Sequence, residues 1–299
     1  DVSTGLLHGP SAQTARASVT TDGIEANGSV GSKASISADG RYVAFSSSSS
    51  NLVAGDSNGT GDVFVHDSLT GTTTRVSISS DGAQANSSSG APSISADGRY
   101  VAFESLASNL VAGHTNAWPD VFVHDRQTAT TTRVSVASDG NQANDRAVLP
   151  SISADGRYVA FESPASNLVA GDTNSAYDVF VHDRQTDGTT RVSEASDGTQ
   201  GSGSSWMPSI SADGRYVTFV SAANDLVAGD TKGQDAFLHD LQTGVTTRIS
   251  VAADGGEADG TSYTSFVASS GSHVAFTSDA TNLVAGDTNG TVDVFIRAL

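Results

Sequence analysis

Short apolar runs, broken by small polar residues and punctuated by turn formers, follow one another along this chain four at a time and then begin again. In one copy they read SIS at 93–95, YVAF at 100–103, VFV at 121–123 and TRVSV at 132–136, each bounded by Gly, Asp, Asn or Ser. Runs of this length, rich in β-branched and aromatic residues, predict strands rather than helices. The string SISADGRYVAF stands unchanged at 35–45, 93–103 and 151–161, returns as SISADGRYVTF at 209–219, and decays to SSGSHVAF at 269–276. The copies are about 58 residues apart, and four strands per repeat is the content of one propeller blade. Two further strings recur in step: NLVAGDxN followed by DVFVHD, as at 51–67 and 167–183, and TTRVS followed by SDG, as at 132–140. The pattern therefore predicts an all-β, five-bladed β-propeller of four-stranded antiparallel blades.

The connections divide into two kinds. ADGR joins the first run to the second and places a glycine where a tight hairpin needs positive φ, and HDxxTG turns the third run into the fourth. The other two connections are about 14 residues long, and loops of that length in a compact domain usually carry function. Alternate connections in a propeller lie on opposite faces, so both long loops share one face, the expected working face. The last copy ends after its third run, DVFI, while residues 14–27, TARASVTTDGIEAN, match a fourth run with its following loop. The expectation is that residues 15–20 complete the last blade and close the ring, removing two exposed edges. One domain then spans 14–299, and 1–13 form an N-terminal tail.

Composition narrows the function classes. Fifteen Lys plus Arg stand against 33 Asp plus Glu, a formal charge of −18. That is the wrong sign for a phosphate backbone or an anionic membrane surface, so nucleic acid is not an expected partner. No run approaches the length of a membrane span, and membrane insertion is not expected. With no cysteine there is no disulfide framework, thiolate zinc site or cysteine nucleophile. The chain is expected to be an exported protein, secreted or at the cell surface, whose leader has been removed, and to be a monomer.

The SADGRYVAF segment, an Asp-Gly turn followed by an aromatic and an alternating apolar strand, resembles the PD-type repeat of the TolB C-terminal propeller. The resemblance covers all five copies, essentially 14–299. Ala38, Ala96, Ala154 and Ala212 stand where that family has proline, and the copies number five where TolB has six blades. The resemblance implies a TolB-like β-propeller fold. It implies little about activity, because propellers serve as enzymes, lectins and docking platforms alike.

The loop pattern DxNxxxD is the best metal signal. It supplies Asp56, Asn58 and Asp62 in the first repeat, Asp172, Asn174 and Asp178 in the third, and Asp287, Asn289 and Asp293 in the fifth. Oxygen donors at alternate loop positions suit Ca²⁺. The competing reading is that these side chains cap their own turns. His114 replaces the first Asp in the second repeat and Lys232 replaces the Asn in the fourth, so those two loops are expected to be empty. His66, His124, His182 and His239 recur in a ring and cannot converge on one metal; they are read as hydrogen-bonding residues between blades, as are Arg75, Arg133, Arg191 and Arg248.

A single asymmetric site must come from residues that break the repeat. Arg146, Trp206 and Tyr263, in the segments entering the third, fourth and fifth repeats, are predicted to rim one side of the channel mouth as a cation beside two aromatic faces. Such a surface suits a glycan or protein ligand. Glu104 and Glu162 follow the second strand in two adjacent repeats, and with Arg146 they offer a general acid and base for a glycosidic bond. Three functions follow: a non-enzymatic, calcium-stabilised binding propeller, a glycan-cleaving hydrolase or lyase, or a structural module of a larger cell-surface protein.

Overall fold

The computed structural model describes residues 14–231 and 233–299, and these are all-β with no helix. The first sheet holds β1 (Val30–Ile36), β2 (Tyr42–Ser47), β3 (Asp62–Asp67) and β4 (Thr72–Arg75). The second holds β5 (Ser89–Ile94), β6 (Tyr100–Ser105), β7 (Asp120–Asp125) and β8 (Thr130–Arg133), and the third β9 (Val148–Ile152), β10 (Tyr158–Ser163), β11 (Asp178–Asp183) and β12 (Gly188–Arg191). The fourth holds β13 (Ser205–Ile210), β14 (Tyr216–Ser221), β15 (Asp235–Asp240) and β16 (Val245–Arg248), and the fifth β17 (Ser262–Val267), β18 (His273–Ser278) and β19 (Asp293–Ala298). Strands within each sheet pair antiparallel in chain order, four in each of the first four sheets and three in the fifth.

The VFV runs are apolar on both faces because each third strand lies between two neighbouring sheets. Every residue of β3 is buried, as is every residue of β7. Second and third strands pair Phe45 with Phe64, Phe103 with Phe122 and Phe161 with Phe180, and the stacked rings lie 5.9–6.0 Å apart. Ala44, Val63 and Val65 of the first sheet pack on Ile94, Val101 and Phe103 of the second, and the third and fourth sheets continue the pattern. Polar stitches repeat with the core: the amides of Ile94, Ile152 and Ile210 donate to the hydroxyls of Ser35, Ser93 and Ser151 on the preceding sheet. Gly40, Gly98, Gly156 and Gly214 adopt the positive φ that the ADGR hairpin demands.

The packing series is open at its two ends. Ile94, Ile152 and Ile210 are 7–8 % exposed, but Ile36, their counterpart in the first sheet, is 59 % exposed. Val294 and Ile296 of β19 are 77 % and 75 % exposed, whereas Val63 and Val65 are fully buried. The expected pairing of residues 15–20 with the last strand is not found among the described residues. Val19 instead bridges Glu25, and its carbonyl accepts a hydrogen bond from Thr73 of the first sheet. The segment thus sits on the first repeat, where the linkers of preceding repeats sit on later ones. Tail residues 1–13 lie outside the described residues.

Candidate functional site

The carboxylates of the long loops are drawn together by sheet geometry. In the first repeat, strand pairing places Arg75 opposite Phe64, and its Nη1 reaches to 3.6 Å from Asp56 and 3.5 Å from Asp62. Gln84 donates to both carboxylates at 2.8 Å, Ser77 donates to Asp62 at 2.6 Å, and Asn58 donates to Asp62 at 3.2 Å. The third repeat repeats this: Gln200 bridges Asp172 and Asp178, Ser193 donates to Asp178, and Asn174 donates to Asp178. In the first loop the carboxylates read from sequence as calcium ligands are met by Arg75 and Gln84, whereas in the third loop Gln200 donates to one oxygen of Asp172 and the other is buried without a partner. The turn-capping reading holds only for the asparagines, whose side-chain oxygens accept from the amides of Thr60 and Ala176. Burial pushes the carboxyls of Asp62 and Asp178 up, against the donors that hold them down.

The two loops expected to be empty are also occupied by their own side chains. His114 Nε2 lies 3.1 Å from Asp120, with Arg133 at 3.6 Å and Gln142 donating to the same oxygen at 2.7 Å. In the fourth repeat, Asp230, Asp235 and Glu257 offer oxygens within 4.8 Å of one another around Arg248. Glu257 stands where the earlier repeats have glutamine, a substitution visible in sequence and passed over. Asp287, Asn289 and Asp293 differ from all of these. Asn289 donates to Asp293 at 2.9 Å, and among the described residues the fifth sheet has no outer strand to bring arginine and serine to this loop.

The repeated histidines are buried and bond within their own sheets. Each Nδ1 lies 2.9 Å from a threonine hydroxyl of the outer strand, for example His124 with Thr131. Because Thr131 donates its proton to the Ile78 carbonyl of the preceding repeat, His124 Nδ1 must be the donor to Thr131. The link between repeats therefore runs through threonine. Burial holds the His124 imidazole down to about 4, so it is neutral at ordinary pH. The outer-strand arginines serve their own repeat's loop rather than a neighbour.

Among the repeat-breaking residues, Arg146 does not face Trp206. Its guanidinium lies 4.8 Å over Trp118, a residue of the second repeat's long loop that is 41 % exposed. Trp118 was missed in sequence, although it too interrupts the repeat. Trp206 and Tyr263 occupy corresponding positions on β13 and β17; Trp206 is half-buried, and Tyr263 is 43 % exposed with its hydroxyl donating to Asp279 at 2.7 Å.

Glu104 and Glu162 are committed to the neighbouring repeat. Glu104 accepts from the amide of Leu149 at 3.0 Å, and Glu162 accepts from the amide of Met207 at 2.8 Å. Leu149 and Met207 have φ of 54° and 56°, at the bulges of β9 and β13, so each glutamate braces a left-handed residue. The cation that attracts both is Lys33, which crosses from the first sheet to donate to the Pro150 carbonyl at 3.0 Å. The expected grouping of Arg146 with the two glutamates is not assembled. Burial pushes Glu162 up to about 7, and Glu104 adds to the rise, while the Met207 amide and Lys33 oppose it.

Because the folded-state pKa is raised, protonated Glu162 favours the fold. That contribution is present at low pH and lost as pH rises from the ordinary glutamate range through 7. Glu162→Gln is therefore expected to match the parent in urea unfolding at pH 4 and to exceed it by about 2 kcal/mol at pH 8. Equal stabilities at both pH values would show that Glu162 titrates as an ordinary carboxyl.

No family model matches the sequence, and no curated protein matches it. The fold does have counterparts among solved structures. TolB from Acinetobacter baumannii superimposes with a TM-score of 0.50 at 17 % identity, over 86 % of this chain and 53 % of that one. A structure from a study of two prolyl endopeptidases superimposes with a TM-score of 0.51 at 13 % identity, over 84 % of this chain and 32 % of that one. A putative TolB from Agrobacterium tumefaciens follows at a TM-score of 0.49 and 17 % identity, over 90 % of this chain and 75 % of that one. The chain is a β-propeller of the TolB-like kind in fold. It spans about half the length of the A. baumannii protein and a third of the endopeptidase chain.

Proposed function

We propose that this propeller is a non-enzymatic binding module that takes a glycan or protein ligand on its long-loop face. The observation that supports it is the exposed pair of Trp118 and Arg146, with Trp206 and Tyr263 on the two sheets that follow. Aromatic faces beside a guanidinium offer stacking area and directed hydrogen bonds at small entropic cost. The hydrolase reading loses support because each glutamate already accepts a hydrogen bond from a neighbouring backbone amide and Arg146 is stacked elsewhere. In the first loop Arg75 supplies the charge a calcium ion would bring, whereas in the third loop one oxygen of Asp172 is buried without a partner. We take the five sheets as five blades.

A glycan-array screen followed by titration of the best binder tests this. Trp118→Ala and Trp206→Ala are each expected to weaken binding at least about tenfold, with the far-ultraviolet spectrum unchanged. Turnover of a bound glycan that disappears in Glu162→Gln would return the hydrolase reading. Binding untouched by either tryptophan would move the ligand off this face.

A further inference from the structure

The first four long loops are versions of one charged cluster, and in three of them the outer-strand arginine stands against the loop carboxylates. Arg75 Nη1 lies 3.6 Å from Asp56 and 3.5 Å from Asp62, and Arg133 Nη1 lies 3.6 Å from Asp120. Arg248 Nη1 lies 3.4 Å from Asp230, 3.9 Å from Asp235 and 3.4 Å from Glu257. In the third loop the guanidinium turns away. Arg191 makes its ion pair with Glu194, 3.8 Å from Nε, and pairs with neither Asp172 nor Asp178.

One residue accounts for the difference. Glu194 holds the position of Ile78, Val136 and Val251, each of which bridges the Gln or Glu that serves its own loop. An aliphatic side chain there offers an arginine nothing, so the guanidinium goes to the aspartates. A carboxylate three residues beyond Arg191 competes for it. The first loop therefore sets two carboxylates against one guanidinium, whereas the third has three, and the guanidinium is on the wrong one. Burial pushes Asp178 up, and the push from Asp172 outweighs the pull of Arg191; at Asp62 the order is reversed, and Arg75 outweighs Asp56.

A second, independent mark of the vacancy lies on Asp172. Its Oδ1 accepts from Gln200 at 2.8 Å, but its Oδ2 is buried with no partner. Among the described residues of the first and second loops no carboxylate oxygen is left in that state. Asp230 Oδ2 of the fourth loop also has no hydrogen bond, but there Arg248 stands beside all three carboxylates. A buried carboxylate oxygen without donor or cation is costly, and the cost is removed by whatever positive group can enter. Gln200 holds Asp178 as well, at 3.0 Å, so the two carboxylates are kept at one place. Gly171 and Thr173 on either side of Asp172 are exposed, which opens the loop to water and to small ions.

We infer that the third loop, alone among the first four, binds a divalent cation such as Ca²⁺ between Asp172 and Asp178, and that Glu194 creates the site by holding Arg191 off the two aspartates. The donors are hard carboxylate oxygens, and water completes the shell, a combination that suits Ca²⁺. Asn174, read from sequence as a ligand, is not one. Its side-chain oxygen accepts from the Ala176 amide at 2.9 Å, and its Nδ2 donates to Asp178 and to the Gly201 carbonyl. Glu194 is a positioning residue and not a ligand: its effect on the cation passes through Arg191.

The test is calorimetric titration of the chelator-stripped full chain with CaCl₂, beside Asp172→Asn, Glu194→Val and, as a control in the first loop, Asp56→Asn. The parent is expected to bind Ca²⁺ with a rise in melting temperature. Asp172→Asn and Glu194→Val are each expected to weaken that binding at least about tenfold, and Asp56→Asn to leave it unchanged. Glu194→Val is the decisive variant, because it removes no ligand and installs the side chain type that three other repeats carry at this position. Adding Arg191→Gln to Glu194→Val removes the returning guanidinium and is expected to restore binding. Circular dichroism checks that each variant folds. No heat and no change in melting temperature up to about 10 mM Ca²⁺ overturns the inference. Binding that survives Asp172→Asn overturns it by placing the ion elsewhere, and binding that survives Glu194→Val overturns the part given to Arg191.

Discussion

Replacing Gly156 by alanine is expected to lower stability by about 3–5 kcal/mol, read as a drop of roughly 6–15 °C in the unfolding midpoint. Two costs add. Gly156 sits at φ +74°, where an L side chain carries a penalty of about 1–2 kcal/mol. An added Cβ also falls 2.1 Å from Cδ2 of Tyr100 on the preceding sheet. That ring cannot swing aside cheaply, because Arg99 covers it from its own sheet at 4.7 Å and Arg184 from the next at 4.6 Å. Arg184 is itself tied to the Gly156 carbonyl at 2.6 Å within the third sheet, so moving the turn also displaces the guanidinium that crosses the boundary to Tyr100. Gly140 is the control: its φ is +84° but nothing lies within 4 Å of its Cβ position, and Gly140→Ala is expected to lose only the backbone term, about 1–2 kcal/mol. Equal losses in the two variants would show that the tyrosine yields and that the boundary between sheets is softer than its geometry suggests.

Gly156 also shows why the fold was legible in the sequence. The glycine, the following arginine and the tyrosine recur in four copies because each does the same job at each boundary, so a single pattern predicts every sheet. Strand content, the hairpin glycines and the long-loop face all follow from residues close together in the chain. The candidate site was less legible because its contacts are not local. DxNxxxD looks like a metal loop when read alone, and nothing within it announces Arg75 or Gln84, which arrives from 28 residues away. Arg146 could be recognised as a break in the repeat, but its partner Trp118 comes from the loop of the previous repeat, and the sheet-to-sheet offset that joins them is not written in either segment. Glu104 and Glu162 were visible as a pair, whereas the bulges they brace appear only once β9 and β13 shift register. The place of residues 15–20 was not legible for a related reason: matching a strand to its position in the repeat identifies what it can pair with, but not whether the two ends of the series meet.

The same loops make a second large effect predictable. Arg75→Ala leaves Asp56 and Asp62 facing each other in a nearly dry loop with one bridging glutamine, their side chains only 4 % and 0 % exposed. Removing one member of a buried charge group costs about 3–5 kcal/mol, chiefly because the remaining charges lose their compensation. Burial already pushes Asp62 up, with Arg75 among the groups that oppose the rise, so the variant's carboxyl moves further upward. A raised carboxyl favours the fold only while protonated, and the deficit relative to the parent is therefore expected to be small near pH 4 and to grow as pH rises toward neutrality. The vacated space also tests the calcium expectation. With the guanidinium gone, Asp56, Asn58 and Asp62 become the oxygen-lined loop that the sequence suggested, and millimolar Ca²⁺ is expected to restore part of the lost melting temperature in Arg75→Ala while leaving the parent's first loop unmoved. Isothermal titration on both proteins, with a chelator control, separates the outcomes. A first-loop site in the variant and not in the parent identifies arginine as the protein's own substitute for the metal. A first-loop site in neither shows that Gln84 and Ser77 hold the carboxylates too closely for an ion to enter, and the loss of stability then belongs to charge repulsion alone.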